Sequence, residues 1–321
     1  MRAQPLLQVQ NLSVSLTKNG VSFPVVESLS FNVFPGQTLA IIGESGSGKS
    51  VTAQSLMQLL PEEHFSCSGT ALFCGENLLD RKNTTSKSLF GSKIAMIFQN
   101  PLASFDPVFT IEQQFHEMIH THLDLTRKIA HERILGVLRE TGFQDPERCM
   151  KLYPHELSGG MLQRMAIAMT LLTSPELLIA DEPTTALDVS VQYQILQLLK
   201  TLQKKTGMSL LVITHDMGVV AEMADDVFVL YAGRMAEYSS VQKIFHSPMH
   251  PYTEDLLASR PSQYKKQSFI PISGHPPHYT RLPEGCCYSP RCRKALPICF
   301  KQPPKTTSLN DHHHVRCWLY E

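Results

Sequence analysis

Apolar positions along the chain follow two periods, and the switches between them mark out its elements. From residue 6 to residue 42 they alternate with polar residues or run together in short blocks: "LLQVQNLSVSL", "VSFPVVESLSFNVF", then "TLAII". Alternation predicts half-buried strands, and the unbroken last block a fully buried one. After Ser50 the spacing becomes helical, with Val51, Leu56, Leu59 and Leu60 among polar residues. "KIAMIF", Lys93 to Phe98, is a further buried-strand candidate. From Ile111 to about Arg164 strand signals fade, and "IEQQFHEMIHTHLDL" and "KIAHERILGVLRETGF" predict a mostly helical insertion. Strand and helix then alternate again. "ELLIAD" predicts a strand, and "VSVQYQILQLLKTLQKK" an amphipathic helix with Val191, Ile195, Leu198 and Leu202 on one face. Gly207 is placed to end that helix, and "SLLVIT" is the next strand. Such strand–helix–strand units predict a largely parallel sheet with helices on both faces.

After His250 the periodicity stops. Seven of the 14 histidines lie from His246 onward, among Pro, Cys and Lys. This predicts a separate appendage stapled by something other than a hydrophobic core. Cys67, Cys74 and Cys149 are scattered and read as small buried hydrophobes. Cys286, Cys287, Cys292, Cys299 and Cys317 crowd into the last 36 residues. In a reducing compartment such a cluster suggests metal before disulfides.

Charge narrows the partners. Lys+Arg and Asp+Glu both number 29, which gives no support to bulk attraction for nucleic acid or an acidic membrane surface. No apolar run is long enough to span a bilayer, and "MRAQPLLQVQNL" lacks the features of a signal peptide. The chain is expected to stay in the cytoplasm and to reach a membrane only through a partner.

Candidate chemistry begins with "GESGSGKS", which fits G-x-x-x-x-G-K-[ST] between a predicted strand and a predicted helix. Its residues are Gly43, Glu44, Ser45, Gly46, Ser47, Gly48, Lys49 and Ser50, with Val51 opening the helix. The glycines let backbone N–H groups face phosphates, Lys49 suits the β- and γ-phosphates, and Ser50 suits Mg²⁺. In "LLIADEP", Asp181 ends an apolar strand where a carboxylate enters the Mg²⁺ shell, and Glu182 stands one residue on, placed to polarise water. A second glycine turn, Ser158, Gly159 and Gly160 in "YPHELSGGMLQRMAIAM", precedes a predicted helix and forms another anion-facing surface. Gln99 and His215 each follow a predicted strand, a weak signal for either alone.

The order Gly-rich loop, Gln99, "LSGG", acidic strand end, "TALD" and His215 resembles the ATP-binding subunits of ABC transporters, over essentially the whole chain. The resemblance implies an α/β fold: an ABC-type P-loop NTPase with a RecA-like core, an antiparallel β subdomain and a helical insertion, plus a small cysteine-rich C-terminal module. It implies ATP and Mg²⁺ as ligands. Gln99 would contact Mg²⁺ and couple to membrane subunits, Glu182 would be the catalytic glutamate, Asp188 would belong to the D-loop, and His215 would reach the γ-phosphate. Two such domains pair head to tail, so Ser158, Gly159 and Gly160 would serve the partner's nucleotide. Where the family has an adenine-stacking aromatic this chain has Leu16; Phe23 or a looser hold on adenine are the alternatives.

"FQNPLASFDPVFTI", "SGGMLQR", with Met161 where most of the family has Gln, and the "HPYT" element are similar to the D-type subunit of oligopeptide, dipeptide and nickel permeases. "LPEGCCYSPRCRKALPICF" followed by "HHVRCWLY" looks like the C-terminal cysteine module of peptide permease ATPases. That likeness implies a structural [4Fe–4S] cluster on Cys286, Cys292, Cys299 and Cys317. Zn²⁺, with His312, His313 or His314 as substitute ligands, and free thiols are the alternatives.

Residues 1–250 are expected to form the ATPase domain, with a helical subdomain at about 111–164, and residues 251–321 the extension. The implied function is ATP-driven import of di- or oligopeptides from the cytoplasmic face of the membrane. The implied partners are an F-type ATPase subunit, two membrane-spanning permease subunits and an extracytoplasmic peptide-binding protein. Nickel or antimicrobial peptides are alternative cargoes. A soluble ABC ATPase acting on nucleic acid or ribosomes is the rival class, disfavoured by the single motif set and the balanced charge.

Overall fold

The computed structural model describes residues 4–185, 187–259, 272–310 and 312–321. In chain order β1 (Leu7–Lys18), β2 (Val21–Val33) and β3 (Thr38–Ile42) lead into helix α1 (Lys49–Leu56), followed by β4 (Phe65–Phe73), β5 (Glu76–Asn77), α2 (Thr84–Leu89) and β6 (Ile94–Ile97). Helices α3 (Ile111–His122), α4 (Arg127–Glu140), α5 (Pro146–Met150) and α6 (Gly159–Leu171) come next. Then follow β7 (Leu177–Asp181), α7 (Val189–Thr206), β8 (Ser209–Thr214), α8 (Met217–Met223), β9 (Asp226–Tyr231) and β10 (Arg234–Ser240). The chain closes with α9 (Val241–His246), α10 (Pro251–Ala258), β11 (Thr307–Asn310) and β12 (His313–Val315).

These elements divide into two compact units. The first comprises Met1–Phe34, Thr38–Arg81 and Ile213–Glu321. It holds an antiparallel sheet in the order β2-β1-β4-β5, whose inward residues Leu7, Val9, Leu12 and Val14 match the alternation seen in the sequence. It also holds a mixed sheet. β3 and β9 pair in parallel, from Leu39 opposite Asp226 to Ile42 opposite Val229. From β9 onward the largely parallel expectation gives way: β10 returns antiparallel, followed by β12 and β11. The cause is the two-residue turn Ala232–Gly233, with φ of 47° and 77°, which can only reverse the chain.

Residues after His250 have an apolar anchor despite their missing periodicity, which corrects the expectation drawn from it. Tyr252 of α10 and Tyr288 are fully buried and meet Tyr231 of β9, with ring centroids 4.5–5.3 Å apart. A buried carboxylate reinforces this packing. Glu237 of β10 accepts from the backbone N–H of Met249 and His250, both at 2.9 Å, and from His313 Nε2 at 2.7 Å. One buried anion with three donors thereby ties β10 to the start of α10 and to β12.

The second unit comprises Pro35–Gln37 and Lys82–Val212. β8, β7 and β6 neighbour one another in that order, and β6 runs parallel to β7, from Ile94 opposite Leu177 to Ile97 opposite Ala180. Between these strands lie the predicted helices: α3 opens with a Thr110–Gln113 capping box, α3, α4 and α5 pack on one another, and α4 packs on α6. Gly207 ends α7 in the left-handed conformation with its N–H on Gln203. The buried face of α7 is Ile195, Leu196, Leu199 and Leu202, so Val191 and Leu198 lie beside the predicted stripe's true axis. The scattered cysteines also differ from expectation. Cys67 and Cys149 are half-buried and Cys74 is exposed, because Cys74 and Gly75 form the tight turn between β4 and β5.

His250 caps α10 while wholly buried, its Nδ1 accepting the N–H of Tyr252 at 3.0 Å. This cap requires an unprotonated Nδ1, and burial pushes the pKa of the ring from 6.5 down to about 4. A depressed histidine contributes stability that is complete above pH 6.5 and is lost as pH falls toward 4. Urea titrations at pH 7.5 and 4.5 should show about 2–3 kcal/mol of acid-labile stability that His250→Asn, which retains a capping acceptor, lacks.

Candidate functional site

The phosphate-loop motif in the first unit is a turn between β3 and α1. Gly43 has no room for a side chain, since a Cβ there would lie 2.2 Å from the Leu230 carbonyl oxygen. Lys49 is 5% exposed, and its Nζ donates to the carbonyls of Gly43 at 2.8 Å and Glu44 at 3.0 Å. The ammonium is thus held over the loop, whose back is fixed by the N–H of Gly233 on the Ser47 carbonyl at 2.9 Å. Ser47 Oγ is buried without a hydrogen-bond partner. Such a strand–turn–helix, with a lysine in its mouth and helical N–H groups at its base, fits a polyphosphate.

Two more predicted positions lie in this unit. His215 is exposed on the turn from β8 to α8, just before Asp216, which caps α8 through Gly218 N–H. Leu16 and Phe23 are direct cross-strand partners on β1 and β2, and Tyr279 stands edge-on to Phe23 at 6.1 Å. The adenine alternatives therefore share one patch. Tyr279, which sequence reasoning missed, belongs to it.

In the second unit, parallel pairing of β6 and β7 brings Gln99 and Glu182 to neighbouring carboxyl ends. Gln99 Nε2 donates to Glu182 Oε2 at 3.1 Å, and Thr185 Oγ1 donates to the same oxygen at 2.7 Å. Glu182 holds φ at 47°, a left-handed conformation that costs a non-glycine residue roughly 1–3 kcal/mol and marks an orientation under constraint. Asp181 is buried at the end of β7. Ser158 caps α6, its Oγ accepting the N–H of Met161 at 3.4 Å, while Gly159 and Gly160 begin the helix. Their N–H groups have no intrahelical acceptors. Asp188 is exposed and precedes α7. Also in this unit, Glu112, His116 and His131 bring one ligand atom each within 4.8 Å of the others, half-exposed, a cluster sequence spacing alone did not flag.

The cysteine segment folds in the first unit. Of the four predicted ligands, Cys299 accepts a backbone N–H at its sulfur, that of Leu296 at 3.4 Å. They feel one another's charge, Cys286 sensing Cys299 and Cys317, and Cys292 sensing Cys299. Burial pushes the Cys286 thiol up to about 11 and raises Cys292 and Cys317 as well. Cys299 and Cys317 are buried, and Cys286 and Cys292 half-buried. Among the described residues no three of these sulfurs lie within 4.8 Å of one another. Cys287 stands aside, 3.3 Å from Arg234 Nη1. His313 is engaged by Glu237 and His314 by Ser308, so neither histidine joins the sulfurs.

Among the described residues no helix is long and apolar enough to cross a membrane. The fold is that of an ABC cassette. The ATP-binding cassette MJ0796, solved as a dimer in a post-hydrolysis state with ADP and Pi, matches with a TM-score of 0.65 over 73% of this chain and 98% of that one, at 24% identity. The ABC transporter family model matches residues 26–185, and that of the oligopeptide/dipeptide transporter C-terminal region matches residues 236–299. The dipeptide transport ATP-binding protein DppD of Bacillus subtilis is 43% identical, over 99% of this chain and 96% of that protein. The oligopeptide transport ATP-binding protein OppD of the same organism is 42% identical, over 99% and 90%. The chain belongs to the oligopeptide/dipeptide permease family of ABC transporter ATP-binding proteins.

Gly160 has a packing role apart from any ligand, since a Cβ there would lie 2.8 Å from Val191 Cγ1 of α7. Gly160→Ala should cost about 1–3 kcal/mol by overpacking, measured by thermal melting, and the double variant with Val191→Ala should recover most of it.

Proposed function

We propose that this chain is the ATP-hydrolysing subunit of an importer of di- or oligopeptides, working at the cytoplasmic face of the membrane. The observation that carries the enzymatic part is the Glu182 carboxylate held by Gln99 and Thr185 at the end of β7. Residues 1–250 act as the cassette, with about 111–164 as its helical subdomain, and 251–321 as the appended module. The loop Gly43–Ser50 takes the phosphates, with Lys49 exchanging its carbonyl contacts for β- and γ-phosphate oxygens. Adenine rests on the Leu16–Phe23–Tyr279 patch. Ser50, Asp181 and Gln99 would hold Mg²⁺, which supplies charge neutralisation on the phosphate oxygens.

Glu182 accepts a proton from the attacking water as its oxygen bonds to the γ-phosphorus, and the bond to the β-phosphate oxygen breaks to give ADP and phosphate. His215 donates a hydrogen bond to the γ-phosphate. Positioning and charge stabilisation do the work, with no covalent intermediate. Ser158, Gly159 and Gly160 offer their N–H groups to the nucleotide of a head-to-tail partner, an F-type ATPase subunit. The γ-phosphate closes that dimer and its removal opens it. Two membrane-spanning subunits receive the movement near Gln99, and an extracytoplasmic binding protein delivers the peptide. Support for the peptide cargo comes from the full-length likeness to dipeptide and oligopeptide transport proteins. Cys286, Cys292, Cys299 and Cys317 hold a [4Fe–4S] cluster with a structural role, a reading supported by the likeness of this segment to the cysteine module of peptide permease ATPases, with Zn²⁺ as the alternative.

Turnover of the complete complex in lipid vesicles tests the reading. Di- and oligopeptides, each with the cognate binding protein, should stimulate ATP hydrolysis, and Glu182→Gln should bind ATP yet lose nearly all turnover. Stimulation by Ni²⁺ instead would overturn the cargo; retained turnover in the variant would overturn the role of Glu182. For the cluster, anaerobically purified protein should contain about four iron and four acid-labile sulfide per chain. Stoichiometric zinc without sulfide would refute it.

A further inference from the structure

The cysteine-rich segment touches the phosphate loop directly, through a residue that the nucleotide chemistry does not use. Arg291, beside Cys292, makes a two-pronged ion pair with Glu44, Nη1 to Oε2 at 2.7 Å and Nη2 to Oε1 at 3.0 Å. Its side chain is 5% exposed. The guanidinium is held on its other sides as well: Nη1 also donates to Tyr231 Oη at 3.1 Å, Nε donates to the Ser273 carbonyl at 2.9 Å, and the group lies 5.8 and 5.9 Å from the ring centroids of Tyr231 and Tyr288. Glu44, second residue of the loop, is fixed at every polar group. Its carboxylate meets Arg291, its N–H donates to Tyr252 Oη at 2.9 Å, and its carbonyl accepts from Lys49 Nζ at 3.0 Å.

A second, longer path runs parallel to the first. Cys287 Sγ accepts from Arg234 Nη1 at 3.3 Å, Arg234 is paired with Glu27 at 2.6 Å, and the preceding residue, Gly233, donates its N–H to the Ser47 carbonyl at 2.9 Å. The loop is therefore gripped at both Glu44 and Ser47 from the side where the module packs. Stability alone does not account for the direct contact, because a buried ion pair gains little over apolar packing of the same volume. What a forked guanidinium adds is orientation of the carboxylate, and with it of the backbone carrying the carbonyl that holds Lys49.

We propose that Arg291 is a positioning residue for nucleotide binding, and that docking of the cysteine module and occupancy of the phosphate loop favour each other. This rests on the reading that residues 43–50 hold ATP. The coupling is reciprocal by thermodynamic necessity: if docking tightens the hold on nucleotide, nucleotide tightens docking by the same factor. The module is then a brace whose state is felt at the loop, and the loop reports back to it.

The test uses the full chain, a non-hydrolysable fluorescent ATP analogue with Mg²⁺, and hydrogen exchange read over residues 286–299. Arg291→Lys keeps the charge and loses the fork; Glu44→Gln leaves the module's own sequence intact, in case the first variant folds poorly. The expectation is that both variants bind the analogue roughly tenfold more weakly. In the wild type the analogue should slow exchange across 286–299, and in both variants that slowing should disappear. Affinities within twofold of wild type, or slowing of exchange that is the same in all three proteins, would overturn the brace while leaving nucleotide binding intact. A wild-type chain that binds no analogue would overturn the nucleotide reading and the brace with it.

Discussion

Parallel pairing of strands is the constraint on which the functional geometry depends. Two parallel strands end on the same edge, so the residues that follow them are neighbours however far apart they lie in sequence. In the first unit this places the loop after β3 against the end of β9, where Leu230 leaves space only for Gly43 and Gly233 clasps Ser47. In the second it places Gln99, after β6, against Glu182, after β7. Each pair is polar and would be costly to bring together in a buried sheet centre. At a carboxyl edge each is free to face solvent or ligand. Loss of register by one residue in either pair would turn the functional side chains to the wrong face.

The C-terminal segment shows how a region without periodic apolar residues still packs. Tyr252 and Tyr288 of this segment pack on Tyr231 of β9, and the three hydroxyls must each be satisfied. Tyr252 does so on the N–H of Glu44, Tyr288 on Asp255 and Tyr231 by accepting from Arg291. Packing and polar satisfaction are thus inseparable here, and the partners that satisfy the hydroxyls include the phosphate loop itself. The second glycine turn has a similar double character. Gly160 leaves room for Val191 and lies in the first turn of α6, where a backbone N–H has no intrahelical acceptor.

The features legible in the sequence were those built from contiguous backbone. The strand–turn–helix at residues 43–50, the acidic end of β7 and the Gly207 stop are each local geometries with fixed residue requirements, and each lies where its pattern put it; Gly159 and Gly160, expected ahead of a helix, instead form its first turn behind the Ser158 cap. Contacts across the chain were not legible in this way. Gln99 and Glu182 are 83 residues apart, and no local rule joins them. The face of α7 was misjudged by one position, because the adjacent pairs Ile195–Leu196 and Leu198–Leu199 allow two stripes and only tertiary packing selects between them. Cys74 was misread because residue type suggested burial where turn geometry demanded exposure. The aromatic anchor escaped notice because Tyr231, Tyr252 and Tyr288 follow no period, and Arg291 because a single charge before a cysteine carries no pattern.

The separation between Glu44 and Arg291, 247 residues, also has a consequence for how the protein comes into being. A ribosome adding 5–20 residues per second exposes the phosphate loop roughly 10–50 s before the arginine that secures it has been made. β3 likewise waits for β9, its parallel neighbour. The apolar strand "TLAII" must stay without that partner until β9 has been made, the condition in which nascent chains aggregate or recruit chaperones. Any product cut short before Arg291 therefore carries a Glu44 carboxylate without its forked partner.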